Sequence, residues 1–408
     1  MSAGPHPAPW LSIVGIGEDG LAGLSDPARK ALADASLVIG GQRHLALAGA
    51  TIRGERQTWP SPMADAREFV LARRGQPTAV LASGDPFCFG VGSLLAAALE
   101  PGEWQAFPAL SSFSLAAARL GWALQETDCL SLCGRPLETL APALQPGRRL
   151  LVLSADARTP ANVATYLTEH GFGASRLGIL EALGGPAERL RWTTVTDFDV
   201  ADVQPLNLLA IELAAGDGAR VIPRANGLDD ALFEHDGQMT KREVRAVTLS
   251  SLAPRAGELL WDIGCGAGSI AIEWLLTHPA NGAIGIEEDG ERAERARRNA
   301  RKLGVPRLQI VRGRAPAVLA DLAPPQAVFI GGGAHEAGVI DAAWSALAAG
   351  GRMVANAVTL ESEHALFHAQ ARLGGTLLRL AVSRLDAVGN LSALRPAMTV
   401  TQWLAVKP

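Results

Sequence analysis

Three glycines follow a strand-like apolar run in the stretch LLWDIGCGAGSIAIEW, residues 259–274. They occupy the alternate positions Gly264, Gly266 and Gly268, and Asp262 lies just before them. Glycines let backbone N–H groups approach a ligand closely, and a helix beginning near Ser269 would direct its positive end toward that ligand. A dinucleotide fingerprint would need a glycine at position 269. The spacing therefore favours a nucleoside without a pyrophosphate, with a dinucleotide site or a turn without ligand as the alternatives.

An acidic residue, Glu287, ends the next predicted strand, roughly 20 residues beyond the glycines. The carboxyl ends of parallel strands meet at one edge of a sheet, so this side chain is expected beside the glycine turn. A carboxylate at that place can accept hydrogen bonds from the two hydroxyl groups of a ribose. The pair of features predicts a nucleoside site in the second half of the chain.

A second glycine motif, Gly15-x-Gly17-x-x-Gly20, follows an apolar strand near the amino terminus. A dinucleotide fingerprint starts its helix within the motif, whereas here Ser25 or Asp26 is predicted to cap the helix. The next strand candidate ends in glycines rather than in an acid. We therefore predict a long glycine loop over a cleft instead of a dinucleotide site.

Two further segments of the first half place polar residues between a strand and a helix. In LASGDPFCFGVG, Asp85 precedes a proline, which by itself indicates no more than a turn. In FPALSSFSLAAARLG, Ser111 or Ser112 can cap a helix.

Composition limits the class of protein. The 408 residues are 48% hydrophobic, which predicts two domains with cores of their own. A net charge of -4 argues against nucleic acid as a partner and favours a small-molecule or neutral substrate. The four cysteines form no Cys-x-x-Cys pair, so we predict reduced thiols and no metal site. With no targeting peptide and no membrane-length apolar run in the sequence, we expect a soluble, cytoplasmic protein.

Strand-like runs alternate with helix-like segments, which predicts an α/β protein with mainly parallel sheets. A segment rich in glycine, proline and aspartate, 214–238, is predicted to contain the linker. The predicted division is a first domain at 1–213, a linker at 214–235 and a second domain at 236–408. In the second domain, five strands with intervening helices and two late strands predict a doubly wound sheet with an antiparallel edge. In the first domain the strand candidates are 10–17, 78–83, 149–154, 177–183, 190–198 and 206–213.

The second half resembles class I S-adenosylmethionine methyltransferases, with their Rossmann-like fold, in its Asp-x-Gly-x-Gly-x-Gly turn, its strand-end acid and its late edge strands. The segments DGQMTKREVRA, RGRAP, AVFIGGG and GGRMVANAVTLES are similar to those of the decarboxylating precorrin methyltransferases of cobalamin biosynthesis. This resemblance covers nearly all of residues 230–408. It implies that the cofactor S-adenosylmethionine is bound by Thr240, Gly264, Cys265, Gly266, Ala267, Gly268, Glu287, Gly313 and Ala315.

Two interpretations, one structural and one functional, are open for several residues of the second half. Thr240 could be a plain helix N-cap, because Glu243 three residues later would complete a capping box. The glycines Gly331, Gly332 and Gly333 could form a loop that terminates a helix, but we favour a close approach to a large flat substrate. His335 and Glu336 follow them and could handle protons, although a histidine near a loop is more often a surface residue.

The first half resembles the tetrapyrrole methylases, through VGIG, Ser-Gly-Asp-Pro at 83–86, the serine-capped helix and CLSLCGRP, over residues 10–213. That family folds as two α/β subdomains with the cofactor in the cleft between them. The resemblance implies that the loop at 15–20, with Gly15 and Gly17, faces the tetrapyrrole. It also implies that Asp85 and Ser112 line the cofactor cleft.

Together the two resemblances imply two S-adenosylmethionine sites per chain and a precorrin-type tetrapyrrole substrate. The first domain would methylate carbon 5 of the macrocycle, and the second would methylate carbon 15 and remove carbon dioxide from the acetate at carbon 12. An electron-rich macrocycle carbon needs positioning more than a strong base, so no catalytic residue is assigned. We also expect a homo-oligomer. The alternatives are an RNA methyltransferase, or a methyltransferase in which one half is regulatory.

Overall fold

The computed structural model describes residues 9–408, and the protein consists of two compact units. Of the described residues, unit 1 comprises those up to Leu137 and Gln145–Arg220, and unit 2 comprises Glu138–Leu144 and Val221–Pro408. The boundary between the units along the chain therefore falls at residue 220, inside the segment predicted to contain the linker.

Unit 1 contains two five-stranded sheets. All strands of the first sheet are parallel, in the order β3-β2-β4-β1-β5. Its strands are β1 (Leu11–Ile16), β2 (Leu37–Gly40), β3 (Glu55–Thr58), β4 (Thr78–Ser83) and β5 (Trp104–Phe107). Its helices are α1 (Asp26–Asp34), α2 (Gln42–Ala48), α3 (Ala66–Leu71) and α4 (Val91–Ala96).

The second sheet of unit 1 is mixed, in the order β6-β7-β10-β8-β9. Antiparallel pairing follows from the short connections between its last strands, which leave no room for a crossover helix. Its strands are β6 (Thr127–Ser131), β7 (Arg149–Leu153), β8 (Arg176–Glu181), β9 (Arg189–Thr194) and β10 (Asn207–Glu212), and its helices are α5 (Ser112–Leu120) and α6 (Thr159–Glu169).

The six strands predicted for unit 1 are confirmed, as is the candidate after the first glycine motif, which is β2; β3, β5 and β6 were not predicted. The short edge strands β3 and β5 have half-exposed, mixed side chains, so they lack the apolar pattern of central strands. Of the alternative helix caps, Ser25 caps α1 and Ser111 caps α5, each accepting a hydrogen bond from a backbone N–H three residues later.

Unit 2 is built on a seven-stranded sheet in the order β13-β12-β11-β14-β15-β19-β16. The strands from β13 to β15 are parallel, and β19 lies antiparallel between β15 and β16, which confirms the doubly wound sheet with an antiparallel edge. These strands are β11 (Leu259–Ile263), β12 (Gly282–Glu287), β13 (Gln309–Arg312), β14 (Ala327–Ile330), β15 (Arg352–Ala357), β16 (Thr376–Leu380) and β19 (Val400–Val406).

A separate two-stranded hairpin in unit 2 was not predicted; it consists of β17 (Ser383–Val388) and β18 (Leu391–Pro396). The run LLRLAVSRL, residues 377–385, is one of the two predicted late strands, and it divides into β16 and β17. The helices of the unit are α7 (Arg242–Leu252), α8 (Ser269–Thr277), α9 (Gly290–Lys302), α10 (Val339–Ala346) and α11 (Leu360–Leu373).

The alternative interpretation of Thr240, as the N-cap of the first helix of unit 2, is wrong. Helix α7 begins at Arg242, its N-cap is Lys241, and no side chain caps it. The carbonyl of Thr240 instead accepts a hydrogen bond from Arg245, a fully buried side chain one turn into the helix. The N-cap position is thus one residue beyond Thr240.

Two segments outside the sheet complete the core of unit 2. Ile222, Leu228 and Phe233 lie in its main cluster of buried side chains, so this part of the predicted linker packs against the domain. Ala141, from the short segment Glu138–Leu144, belongs to the same cluster. At the end of α9, Gly304 lies so close to this segment that a β-carbon there would be 2.4 Å from Cδ of Pro142.

We predict that Gly304→Ala lowers the stability of unit 2 more than Gly257→Ala does. Both glycines have positive φ, +77° and +84°, so both substitutions carry the same backbone strain. Only the first meets the 138–144 segment, since nothing lies within 4 Å of a β-carbon at position 257. The difference in unfolding free energy should be about 1 to 3 kcal/mol by chemical denaturation. Equal losses would show that residues 138–144 do not pack there.

Candidate functional site

A cavity of about 850 Å³ opens in unit 2 where β11, β12, β14 and β15 end. Eight of the nine predicted cofactor residues line it: Thr240, Gly264, Cys265, Gly266, Ala267, Glu287, Gly313 and Ala315. Gly268 is not in the wall; it precedes α8, and a β-carbon there would lie 3.1 Å from that of Ala296. Its structural role is to let α8 and α9 pack closely.

The glycine turn is fixed by backbone hydrogen bonds and by close packing. The N–H groups of Gly264 and Cys265 both donate to the carbonyl of Ile286, at 2.9 and 3.1 Å. Gly264 and Gly266 have positive φ, a conformation that favours glycine. A β-carbon at Gly264 would lie 2.9 Å from the backbone nitrogen of Gly332, whereas one at Gly266 would have only the carbonyl of Gln238 nearby, at 3.7 Å. Gly266 therefore borders open space in the cavity.

Glu287 is held at the end of β12 by two backbone donors. Its carboxylate accepts from the N–H of Gly266 at 2.8 Å and from that of Asp289 at 3.0 Å. The residue is only 6% exposed, yet it forms part of the cavity wall. A carboxylate has about four acceptor sites, so it can still accept hydrogen bonds from a ligand's hydroxyl groups.

Asp262 is the most deeply buried acid in the wall, at 1% exposure. One oxygen accepts from the N–H of Ala271 at 3.1 Å, and the other has no hydrogen-bond partner among the described residues. Burial, with a smaller contribution from the negative charge of Glu287, raises the pKa of this carboxyl to about 7. A cationic ligand would stabilise the ionised form, so the site fits a group that carries positive charge.

The three glycines at 331–333 follow β14 and line the cavity beside the glycine turn. Glu336 also lines it and accepts a hydrogen bond of 2.6 Å from Arg314. His335 lies outside the wall; it is about half exposed and contacts Ser362 at 3.3 Å. The structure therefore favours the interpretation of His335 as a surface residue.

The part of the wall formed by β15 and the late strands was missed at the sequence level. It includes Asn356 of β15 and Arg384 of β17, and its apolar residues are Val358, Val382, Met398 and Val400. The one available signal was an asparagine near the carboxyl end of an otherwise apolar strand, in MVANAV.

Unit 1 has its own cavity, of about 320 Å³, where β1 and β4 end. Gly17, Asp85 and Ser112 line it, as predicted for residues near a cofactor or substrate. Gly15 does not line this cavity. It packs against the end of β4, where a β-carbon at position 15 would lie 1.9 Å from the carbonyl oxygen of Gly84. This glycine permits close packing of the strand ends, and its predicted contact with substrate has no support.

A polar cluster in the wall of the unit 1 cavity was also missed. Arg43 forms an ion pair with Glu18 and donates to Nε2 of His44, at 2.9 Å, and to Ser83, at 3.0 Å. Burial, and then the charge of Arg43, lower the pKa of His44 to about 4. His44 is therefore neutral at physiological pH, with Nε2 as the acceptor.

Within residues 9–408, no group of three acidic, histidine or cysteine side chains could hold a metal ion, and no helix is long and apolar enough to cross a membrane.

Two family profiles match the chain. Residues 11–199 match the tetrapyrrole (corrin/porphyrin) methylases, and residues 231–407 match the precorrin methyltransferase domain. The first match falls on unit 1 except for the segment 138–144, and the second falls on unit 2.

Curated relatives match nearly the whole chain. A protein of Sinorhizobium sp. named precorrin-6Y C(5,15)-methyltransferase [decarboxylating] is 54% identical over 97% of this chain and 96% of its own. A protein of the same name from Mycobacterium tuberculosis is 41% identical over 97% of this chain and 100% of its own. A shorter relative from Saccharolobus solfataricus, "probable cobalt-precorrin-6B C(15)-methyltransferase (decarboxylating)", is 38% identical over 38% of this chain and 79% of its own.

We predict that Asp262→Asn reduces the pH dependence of unit 2 stability. With a native pKa near 7 and an unfolded pKa near 4, the native state holds a proton that the unfolded state has lost between those values. The free energy of unfolding therefore falls as pH rises through that window, by at most about 4 kcal/mol, and asparagine removes this loss. Denaturation at pH 5 and pH 8 measures it. Asp321→Asn, at an exposed position, is the control, and equal slopes in both variants would contradict the prediction.

Proposed function

Because this chain belongs to the family of precorrin-6Y C(5,15)-methyltransferases (decarboxylating), we propose that its two units divide the chemistry between them. The chain is an S-adenosylmethionine-dependent methyltransferase of cobalamin biosynthesis that acts on a precorrin. In the proposal, unit 1 methylates carbon 5, and unit 2 methylates carbon 15 and removes carbon dioxide.

The observation that carries this division is the presence of two separate cavities, each at the carboxyl ends of parallel strands in its own unit. The short relative adds support: its name includes both C(15) methylation and decarboxylation, although it matches only 160 residues of this chain. Both of those reactions therefore fit on one unit, which leaves carbon 5 to the other.

In unit 2 the cofactor residues are those that follow β11, β12 and β13. S-adenosylmethionine supplies the methyl group from a positively charged sulfonium. Glu287 would bind the ribose hydroxyls, Gly266 would leave room for the nucleoside, and Thr240, Gly313 and Ala315 would border it. Asp262, buried with one unpartnered oxygen, would face positive charge.

The substrate side of unit 2 begins at the glycines 331–333. The absence of β-carbons there allows the backbone to lie against a flat macrocycle, as proposed from the sequence. Holding the acceptor carbon in line with the methyl group can supply roughly 7 to 11 kcal/mol without a strong base. The chain's contribution to methyl transfer is thus positioning and exclusion of water.

In unit 1, the loop with Gly17 would face the macrocycle, and Asp85 and Ser112 would lie by the cofactor. Asp85 also accepts from the N–H of Phe87 at 2.8 Å, so it shapes its own turn. The alternative of an RNA methyltransferase has no comparable support, because the chain is mildly acidic and belongs to a precorrin family.

The proposal includes two cofactor sites per chain and assembly into a homo-oligomer. For assembly, the support is the hairpin of β17 and β18, where Leu385, Leu391 and Leu394 are each at least 70% exposed. Apolar surface of this kind is typically covered by another chain. Sedimentation velocity should give a species larger than 42.6 kDa, and a monomer at micromolar concentration would contradict this part of the proposal.

We predict that the intact chain with Gly266→Val loses the unit 2 reactions alone. The branched side chain would project into the space proposed for the nucleoside, at a residue with φ of +55°. With a precorrin and S-adenosylmethionine, mass spectrometry of the wild-type product should show two added methyl groups and one lost carbon dioxide. The product made by the variant should retain the acetate carboxylate and carry at most one added methyl group. A doubly methylated, decarboxylated product formed at the wild-type rate would refute the placement of the site.

A further inference from the structure

A buried hydrogen-bond network connects three elements of unit 2 behind the cavity wall. Thr248 of α7 and Gln402 of β19 are at most 2% exposed, and Asn356 of β15 lies directly opposite Gln402 in the sheet. Thr248 Oγ1 contacts Nδ2 of Asn356 at 3.0 Å and Nε2 of Gln402 at 3.1 Å. Gln402 Nε2 also donates to Oδ1 of Asn356 at 2.9 Å. Of the three residues, Asn356 alone lines the cavity.

The hydrogen bonds of the network determine how the amide of Asn356 is oriented. The single hydroxyl proton of Thr248 is donated to the carbonyl of Val244, at 2.8 Å, so its oxygen can only accept from the two amides. Both amides must then turn their NH₂ groups toward Thr248. Gln402 uses both of its N–H groups in the network, and its oxygen accepts from Ser251 at 2.8 Å. One N–H of Asn356 is left over, and no acceptor for it is present among the described residues.

Asn356 lies on the substrate side of the cavity. In the sheet order, β14 separates β15 from β11, β12 and β13, whose ends carry the proposed cofactor residues. The glycines proposed to contact the macrocycle follow β14, the immediate neighbour of β15. The remaining N–H of Asn356 is therefore available to a substrate group rather than to the cofactor.

The late part of the chain contributes mainly apolar residues to the wall, among them Val358, Val382 and Val400, together with Thr359 and Arg384. Of the cations in the whole wall, Arg292, Arg314 and Arg384 each have a carboxylate partner. Lys241 is the remaining cation of that wall. A carboxylate next to Asn356 would lose most of its water and gain a neutral donor in its place.

We propose that Asn356 binds the substrate carboxylate that unit 2 removes as carbon dioxide. This inference rests on the proposed function of unit 2. In the reaction, the bond between the carboxylate carbon and its neighbouring carbon breaks, and the electron pair passes into the conjugated macrocycle. Carbon dioxide leaves, and the neighbouring carbon takes up one proton from water. A neutral N–H orients the carboxylate but stabilises its negative charge less than a cation would. Because that charge must leave the carboxylate in the transition state, weaker stabilisation of the charge favours the reaction.

The test uses the full-length chain with Asn356→Ala and Asn356→Asp. The readout is the ratio of carbon dioxide released to methyl groups transferred to carbon 15, measured by trapped gas and mass spectrometry. Because a hydrogen bond to a charged group is lost, the ratio should fall by about 10-fold to 100-fold in the alanine variant. It should fall further in the aspartate variant, which keeps the shape of the side chain but repels a carboxylate. Binding of S-adenosylhomocysteine to unit 2 should be unchanged in both, which verifies that the unit is folded.

Ser251→Ala is the matched control, because it removes one hydrogen bond from the same network without touching the contacts that orient Asn356. Its ratio should equal that of the wild type. The proposal is overturned if the two reactions decline in parallel in the Asn356 variants, if the ratio is unchanged, or if only Lys241→Met abolishes carbon dioxide release. A wild-type chain that methylates without decarboxylation would instead refute the function proposed for unit 2.

Discussion

The buried ion pair between Arg245 of α7 and Glu273 of α8 is the interaction on which the unit 2 site depends. Both residues are at most 2% exposed. Glu273 also accepts from the N–H groups of Gly227 and Leu228, and Arg245 donates to Asp230 and to the carbonyl of Thr240. The pair thereby holds the segment before α7 against the domain and positions Thr240 in the cavity wall. Removing one partner of such a pair leaves a buried charge uncompensated, at a cost of about 3 to 5 kcal/mol.

The site built on this frame separates two kinds of chemistry across β14. On one side, Glu287 and the unpartnered oxygen of Asp262 give a negative surface suited to a cationic nucleoside. On the other, glycines 331–333 and the apolar wall around Asn356 suit a flat macrocycle with a carboxylate. This separation is consistent with one unit that transfers a methyl group and also removes carbon dioxide, because the two reacting groups meet different surroundings.

Local patterns in the sequence predicted the cavity residues that we propose for the cofactor, whereas long-range contacts determined the remainder. The glycine turn and Glu287 were predictable because strand, turn and helix follow one another directly in the chain. The alternative of Thr240 as an N-cap failed because α7 starts at Arg242, and Arg245, which binds the Thr240 carbonyl, has its buried partner 28 residues further on. The close packing of Gly15 was not predictable because Gly84, which crowds it, follows a different strand. Asn356 depends on Thr248 and Gln402, and the packing of residues 138–144 with unit 2 has no local signal.

The most direct test of the central claim, one independent cofactor site in each unit, is calorimetric titration of the intact chain with S-adenosylhomocysteine. The account predicts two equivalents bound by the wild type. For Glu287→Leu it predicts that one site is weakened by about 1 to 3 kcal/mol, because ribose hydroxyls lose a charged acceptor, while the other keeps its affinity. A single equivalent bound by fully folded wild-type chain, or equal weakening of both sites in the variant, would contradict it.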